Sequence, residues 1–128
     1  MVGSLKVLVA CSDRESQQLL FALLSSCGLE PVFSSTLQEA RAILSRQVIP
    51  LVVCAADLAD GSFREMLRTR EVAELKIPVV VASRRDDAAE YMEAMQLGAF
   101  DFIARPYRQS ELQWIVSNAL RKKRAVAA

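Results

Sequence analysis

The sequence predicts a doubly wound α/β fold: a five-stranded parallel sheet as the middle layer of three, with helices on both faces. Three observations carry that expectation. Short apolar runs alternate with segments of helical period along the whole 128-residue chain. The runs are β-branched and nearly continuous, as strands covered on both faces are, rather than alternating polar and apolar. The helical segments open on Ser, Thr or Asp, and two of them close on glycine.

Leu5-Lys6-Val7-Leu8-Val9-Ala10 reads as the first strand. Ser12 and Glu15 have the spacing of a capping box, Leu20, Leu23, Leu24 and Cys27 follow at helical spacing, and Gly28 supplies the stop. Pro31-Val32-Phe33 is a short second strand, and Thr36 with Glu39 opens a helix carrying Ala40, Ile43 and Leu44. Leu51-Val52-Val53-Cys54-Ala55 is the third strand, residues 57–61 a polar turn, and Ser62 with Glu65 caps one helix bearing Phe63, Met66 and Leu67. The fourth strand spans residues 77–82. Asp86 or Asp87 then starts a helix with Ala88, Tyr91, Met92 and Met95 that ends at Gly98. Residues 100–104 form the fifth strand, and Leu112, Ile115, Val116 and Ala119 mark one face of the last helix.

The length suits a single domain over residues 1–128 with its core at about 5–120. The basic run Arg121-Lys122-Lys123-Arg124 reads as a helix end, where cations meet the dipole favourably, or as the start of a linker to an output domain outside this chain. Sixteen basic and 15 acidic residues give a net charge of +1, so direct nucleic-acid binding and attraction to anionic membrane are not expected. Apolar stretches fall far short of the ~20 residues that span a bilayer. The first residues lack a secretory pattern, and the expected location is the cytoplasm. Cys11, Cys27 and Cys54 lack metal-ligand spacing and there is no histidine, which argues against structural zinc, a histidine base and a Ser/Cys-His hydrolase. Neither GxGxxG nor GxxxxGK[ST] occurs, so nucleotide binding through those loops is unsupported.

In an open parallel sheet, function sits beyond the carboxyl ends of the strands. Those ends offer Cys11, Ser12 and Asp13 after the first strand, and Ala55, Ala56, Asp57 and Asp60 after the third. They offer Ser83, Arg84 and Arg85 after the fourth strand, and Arg105-Pro106 after the fifth. The run Gly98-Ala99-Phe100-Asp101-Phe102-Ile103-Ala104-Arg105-Pro106-Tyr107 resembles the GAxDYLxKPF run of response-regulator receiver domains, the CheY-like family. Pro78-Val79-Val80-Val81-Ala82-Ser83 is similar to that family's fourth strand, and Leu58, Asp60 and Gly61 to the tail of its D-x-x-L-P-D-G loop. The resemblance covers nearly the whole chain.

It implies a flavodoxin-like (βα)5 fold and a signalling role in a two-component phosphorelay. In the family an acidic pair and a third-strand aspartate hold Mg²⁺. That aspartate accepts a phosphoryl group, a Ser/Thr and a Lys contact the phosphoryl oxygens, and an aromatic residue moves inward. Here the acidic pair aligns with Cys11 and Ser12, the acceptor with Ala55, and the lysine with Arg105, while Ser83 and Phe102 match the switch residues. The resemblance also implies a cis Arg105–Pro106 bond.

The expectation is therefore a degenerate receiver, a pseudo-receiver with no catalytic residue and no Mg²⁺ or other cofactor, acting through protein partners rather than as an enzyme. Asp13 and Asp57 are residual acids. Asp13 reads as a helix N-cap or first-turn acid, or as a remnant metal ligand. Asp57 reads as a turn residue, or as an alternative acceptor if the third strand slips by two. Ser83 reads as a switch hydroxyl or a strand-end hydroxyl bonded to backbone. Arg105 is expected to pair with Asp13 or Asp57, or to reach solvent. Trp114 falls off the buried stripe of the last helix. It packs over the helix edge or, with Tyr91, Met95 and Tyr107, forms a partner or homodimer surface on the fourth helix, fifth strand and fifth helix. The rival expectations are a small-anion or metabolite sensor built on the crevice, and an enzyme of another class, with Cys11 as a thiol activated at a helix N-terminus.

Overall fold

A computed structural model describes residues 5–127, with side chains through Arg121; the residues read for a secretory pattern and the side chains of the rest of the basic run lie largely outside that range. The central sheet comprises β1 (Lys6–Ala10), β2 (Glu30–Ser34), β3 (Val52–Ala55), β6 (Val79–Ser83) and β7 (Asp101–Ala104). All pairings are parallel, in the order β2-β1-β3-β6-β7. The intervening helices are α1 (Arg14–Ser26), α2 (Leu37–Arg46), α3 (Phe63–Arg68), α4 (Arg70–Leu75), α5 (Ala88–Gln96) and α6 (Gln109–Ala127). This is the expected doubly wound, CheY-like architecture.

Alternation along each strand sorts the core into two layers. Leu8, Ala10, Val52, Cys54, Val79 and Val81 face α2, α3, α4 and α5 through Ala40, Leu44, Phe63, Met66, Val72 and Ala94. Val7, Val9, Cys11, Val53, Val80 and Ala82 face α1 and α6 through Leu20, Leu24, Leu112, Ile115, Val116 and Ala119. The edge strand β2 bonds inward from the amide of Glu30 to the carbonyl of Leu5. Alternation then turns position 31 outward, where proline has no N–H to offer another strand.

Both glycine stops behave as predicted. Gly28 (φ +80°) and Gly98 (φ +103°) follow α1 and α5, and each helix closes with paired bonds: Gly28 to Ser25 and Leu29 to Leu24, Gly98 to Met95 and Ala99 to Ala94.

Three local expectations are corrected, and one helix end that none of them covered is found. The N-cap of α1 is Asp13, as one reading of that residue had it, rather than Ser12 of the predicted capping box, because its carboxylate accepts from the Ser16 amide at 2.9 Å. The third helix is broken at Thr69, which takes an extended conformation (ψ 147°), ends α3 and caps α4. Lys76 adopts φ +52° to end α4 without a glycine. The polar turn after β3 contains a two-stranded hairpin, β4 (Asp57–Leu58) with β5 (Gly61–Ser62).

Candidate functional site

The chain goes from β1 to one side of the sheet and from β3 to the other, so a crevice opens beyond their carboxyl ends. It has a volume of about 460 Å³ and is lined by Cys11, Ser12, Asp13, Ser16, Ala55, Ala56, Asp57, Ser83, Arg84, Arg85, Asp87, Glu90 and Tyr107, among others. Ala55 is the last residue of β3, in register with Ala82, and Asp57 stands two residues beyond it, exposed on the hairpin. The floor between β1 and β3 is thus a methyl group and a thiol.

That thiol is not activated. Cys11 is 1% exposed, and its S–H lies 3.5 Å from the carbonyl of Asp13. Burial pushes its pKa up, outweighing the lowering by the hydrogen bond to Asp13, which is the opposite of what the expectation of an activated thiol requires. Burial also raises the pKa of Cys54, on the neighbouring strand, and of the half-buried Cys27.

The switch-like residues are already engaged. The Ser83 hydroxyl donates to Oε1 of Glu90 on α5 at 2.6 Å and accepts from the Arg85 amide at 3.2 Å. The guanidinium of Arg105 turns away from the crevice to the first turn of α1. There it meets Asp13 Oδ2 at 3.0 Å and Glu15 Oε1 at 2.9 Å, and donates to the Ser16 hydroxyl. Of its two expected partners, Asp13 is present and Asp57 is not; Glu15 and Ser16 were not foreseen. Asp13 is held below the usual aspartate range by the Ser16 hydroxyl and amide, with Arg84 and Arg105 adding to the effect.

Tyr107 is displaced from its predicted place. It lines the crevice instead of the outer face and donates its hydroxyl to the Ser83 carbonyl at 3.1 Å, and burial raises its pKa. Met95 is half-buried against the core, at a second groove lined by Leu67 and Ile77 near the opposite end of the sheet. Tyr91 and Trp114 do stand out on the α5–β7–α6 side, 42% and 66% exposed. Tyr91 packs edge-on against the buried Phe102, with ring centroids 5.7 Å apart, and an open groove runs from there to Trp114 past Asp86, Pro106, Arg108 and Glu111. The Arg105–Pro106 peptide is cis.

The hairpin acid Asp60 has an unforeseen role. Its two oxygens accept from the amides of Leu37 and Gln38 at 2.6 and 3.1 Å, capping α2 across the fold.

No family model matches the chain. A crystal structure of a response regulator receiver domain protein from Clostridium thermocellum superposes with a TM-score of 0.84 at 22% identity, covering 95% of this chain and 98% of that one. The fold is the receiver fold. A CheY-like receiver domain protein from Methanospirillum hungatei superposes at 0.82 with 15% identity, over 96% of this chain and 98% of the other. Among sequence relatives, the two-component response regulator-like protein APRR1 of Arabidopsis thaliana is 27% identical over 123 residues. PilR of Pseudomonas aeruginosa, a response regulator protein, is 26% identical over 116 residues, and APRR3 of Arabidopsis thaliana is 32% identical over 116. They match 93%, 91% and 88% of this chain, which spans only 20%, 26% and 23% of their respective lengths. Receiver-fold proteins of two-component response regulators are therefore what this chain is similar to.

Proposed function

We propose that this chain is a receiver-type signalling domain that works without aspartyl phosphorylation, by presenting a surface to a protein partner. The observation that carries this reading is Ala55 at the end of β3, where the resemblance places the acceptor. A methyl group cannot form an acyl phosphate. Mg²⁺ does not fit the positions where the resemblance places its ligands: a hard cation asks for carboxylate oxygens, and Cys11, Ser12 and Ala55 supply none. The nearby Asp13, Asp87 and Glu90 are engaged by Ser16 and Arg105, by the first turn of α5 and by Ser83, respectively. Among the described residues no group of three or more His, Cys, Asp or Glu is placed to hold a metal. Incubation with radiolabelled acetyl phosphate should leave the protein unlabelled; stable label mapped to Asp57 would overturn the proposal.

The anion-sensor alternative is less favoured. The crevice carries Asp13, Asp57, Asp87 and Glu90 against Arg84 and Arg85, so its charge opposes an anion, and Arg105 is committed to α1. An enzymatic role has equally little to draw on, with a buried thiol whose pKa is raised and no histidine. No described helix is long and apolar enough to cross a membrane.

The exposed Trp114 and Tyr91 favour the α5–β7–α6 side as the partner surface, since aromatic residues are enriched at interface centres. A second copy of this chain is one occupant, and an output domain of a longer protein is another; relatives such as KdpE of Escherichia coli, a transcriptional regulatory protein, extend well beyond the region matched here. Sedimentation at rising concentration tests the first. Self-association that survives Trp114→Glu would place it elsewhere.

A further inference from the structure

We propose that Ser83 is the hub of a permanent latch: the Glu90 carboxylate occupies the hydroxyl that a switching ligand would have to engage and so fixes the Tyr91–Phe102–Trp114 groove in one shape. The proposal deepens the phosphorylation-free reading above and rests on it for the groove's role.

Ser83 is 3% exposed, and hydrogen bonds from several elements converge on it. Its hydroxyl donates to Glu90 at 2.6 Å and accepts from the Arg85 amide at 3.2 Å. Its carbonyl accepts from the Tyr107 hydroxyl at 3.1 Å and the Arg105 amide at 3.3 Å. These partners come from α5, from the loop after β6 and from the connection between β7 and α6. The Arg105 side chain carries the chain of contacts on to Asp13 and Glu15 in the first turn of α1. A continuous polar path therefore joins α1 to α5 across the carboxyl ends of the strands.

The path reaches the outer groove in one step of sequence. Glu90 precedes Tyr91, whose ring packs edge-on against Phe102 at 5.7 Å. The N-terminal turn of α5 is thus located from two sides, by a charge-assisted hydrogen bond to the crevice and by an aromatic contact to β7. A hydroxyl bonded to a carboxylate is among the stronger neutral–ion contacts, and a buried serine that loses its acceptor is left unsatisfied. The anion that engages the hydroxyl belongs to the protein itself, so no phosphoryl group or metal enters the latch.

Amide hydrogen exchange on the full chain tests this. Glu90→Ala and Ser83→Ala should each accelerate exchange across residues 84–92 and at Phe102 by about tenfold, leaving β2 and α2 unchanged. The double variant should exchange no faster than either single one, because both remove the same bond. Glu90→Gln keeps an acceptor and loses the charge, so it should fall between wild type and Glu90→Ala; this arm decides the matter should Ser83→Ala fail to fold. Wild-type rates in Glu90→Ala and Glu90→Gln, or singles that multiply in the double, would overturn the latch. The two proposals fail separately. Acyl-phosphate label on the wild type defeats the phosphorylation-free reading alone, and unchanged exchange defeats the latch alone.

Discussion

Ala55 puts a methyl group at the end of β3, where the proposed reading places a lost acceptor, and on that reading replacing it alone should restore nothing. In Ala55→Asp the new carboxylate would face Cys11 and Ser12 across β1, still without the oxygen ligands that a hard cation needs. The expected result is no stable label from acetyl phosphate; efficient labelling of this single variant would show that the acidic pair is dispensable. Asp13 permits a second test at the same scale. Its folded pKa is depressed, so its contribution to stability is fully present above the unfolded value and is lost as pH falls through the folded one. Asparagine keeps the N-cap and removes the charge. The stability difference between wild type and Asp13→Asn should be constant from neutral pH down to about 5, and shrink as pH drops through and below the ordinary aspartate pKa of about 3.9. Urea melts across that range read it out, and a pH-independent difference would assign Asp13 a purely steric role. Single residues such as Ala55 and Cys11 were legible from sequence because strand ends occupy fixed places in this topology. The partners of Arg105 were only half legible, since Glu15 and Ser16 are brought to it from 90 and 89 residues away by the packing of α1 against the sheet.

At the level of elements, periodicity and capping located nearly every helix and strand, and the failures share one cause. Thr69 is a β-branched residue inside an apolar helical pattern, with no proline or glycine to mark a break. Its hydroxyl donates to the Met66 carbonyl at 2.8 Å and accepts from the Val72 amide at 3.4 Å, so one side chain ends a helix and starts the next. Thr69→Ala removes both bonds at a buried position and should cost about 1–2 kcal/mol, seen as a lower urea midpoint with an unchanged slope. The α2 terminus shows the same limitation. Thr36 was readable as a cap, whereas Asp60 caps the same helix from 23 residues away, after a hairpin that sequence showed only as a polar turn.

For the whole molecule, stability rests on the two layers of core, and the larger side chains in them set the scale. Phe63 is fully buried among the residues facing α2–α5, with the Arg64 guanidinium 4.6 Å from its ring centre. Phe63→Ala should cost about 3–5 kcal/mol. That is a large part of the roughly 5–15 kcal/mol that stabilises a typical domain. Chemical denaturation would measure it, and a loss under about 1 kcal/mol would mean that the pocket collapses around the smaller side chain. The same whole-molecule view separates the two ends of the design. Sequence by itself determined the layered α/β plan, both glycine stops, the burial of the strands and the alanine that ends β3, because these depend on local propensity, period and position along the chain. Only the tertiary structure decided that Tyr107 turns into the crevice, that Glu90 takes the Ser83 hydroxyl and that Arg105 reaches α1. Those are contacts between elements, and a side chain chooses among partners only after folding has set which of them lie within hydrogen-bond reach.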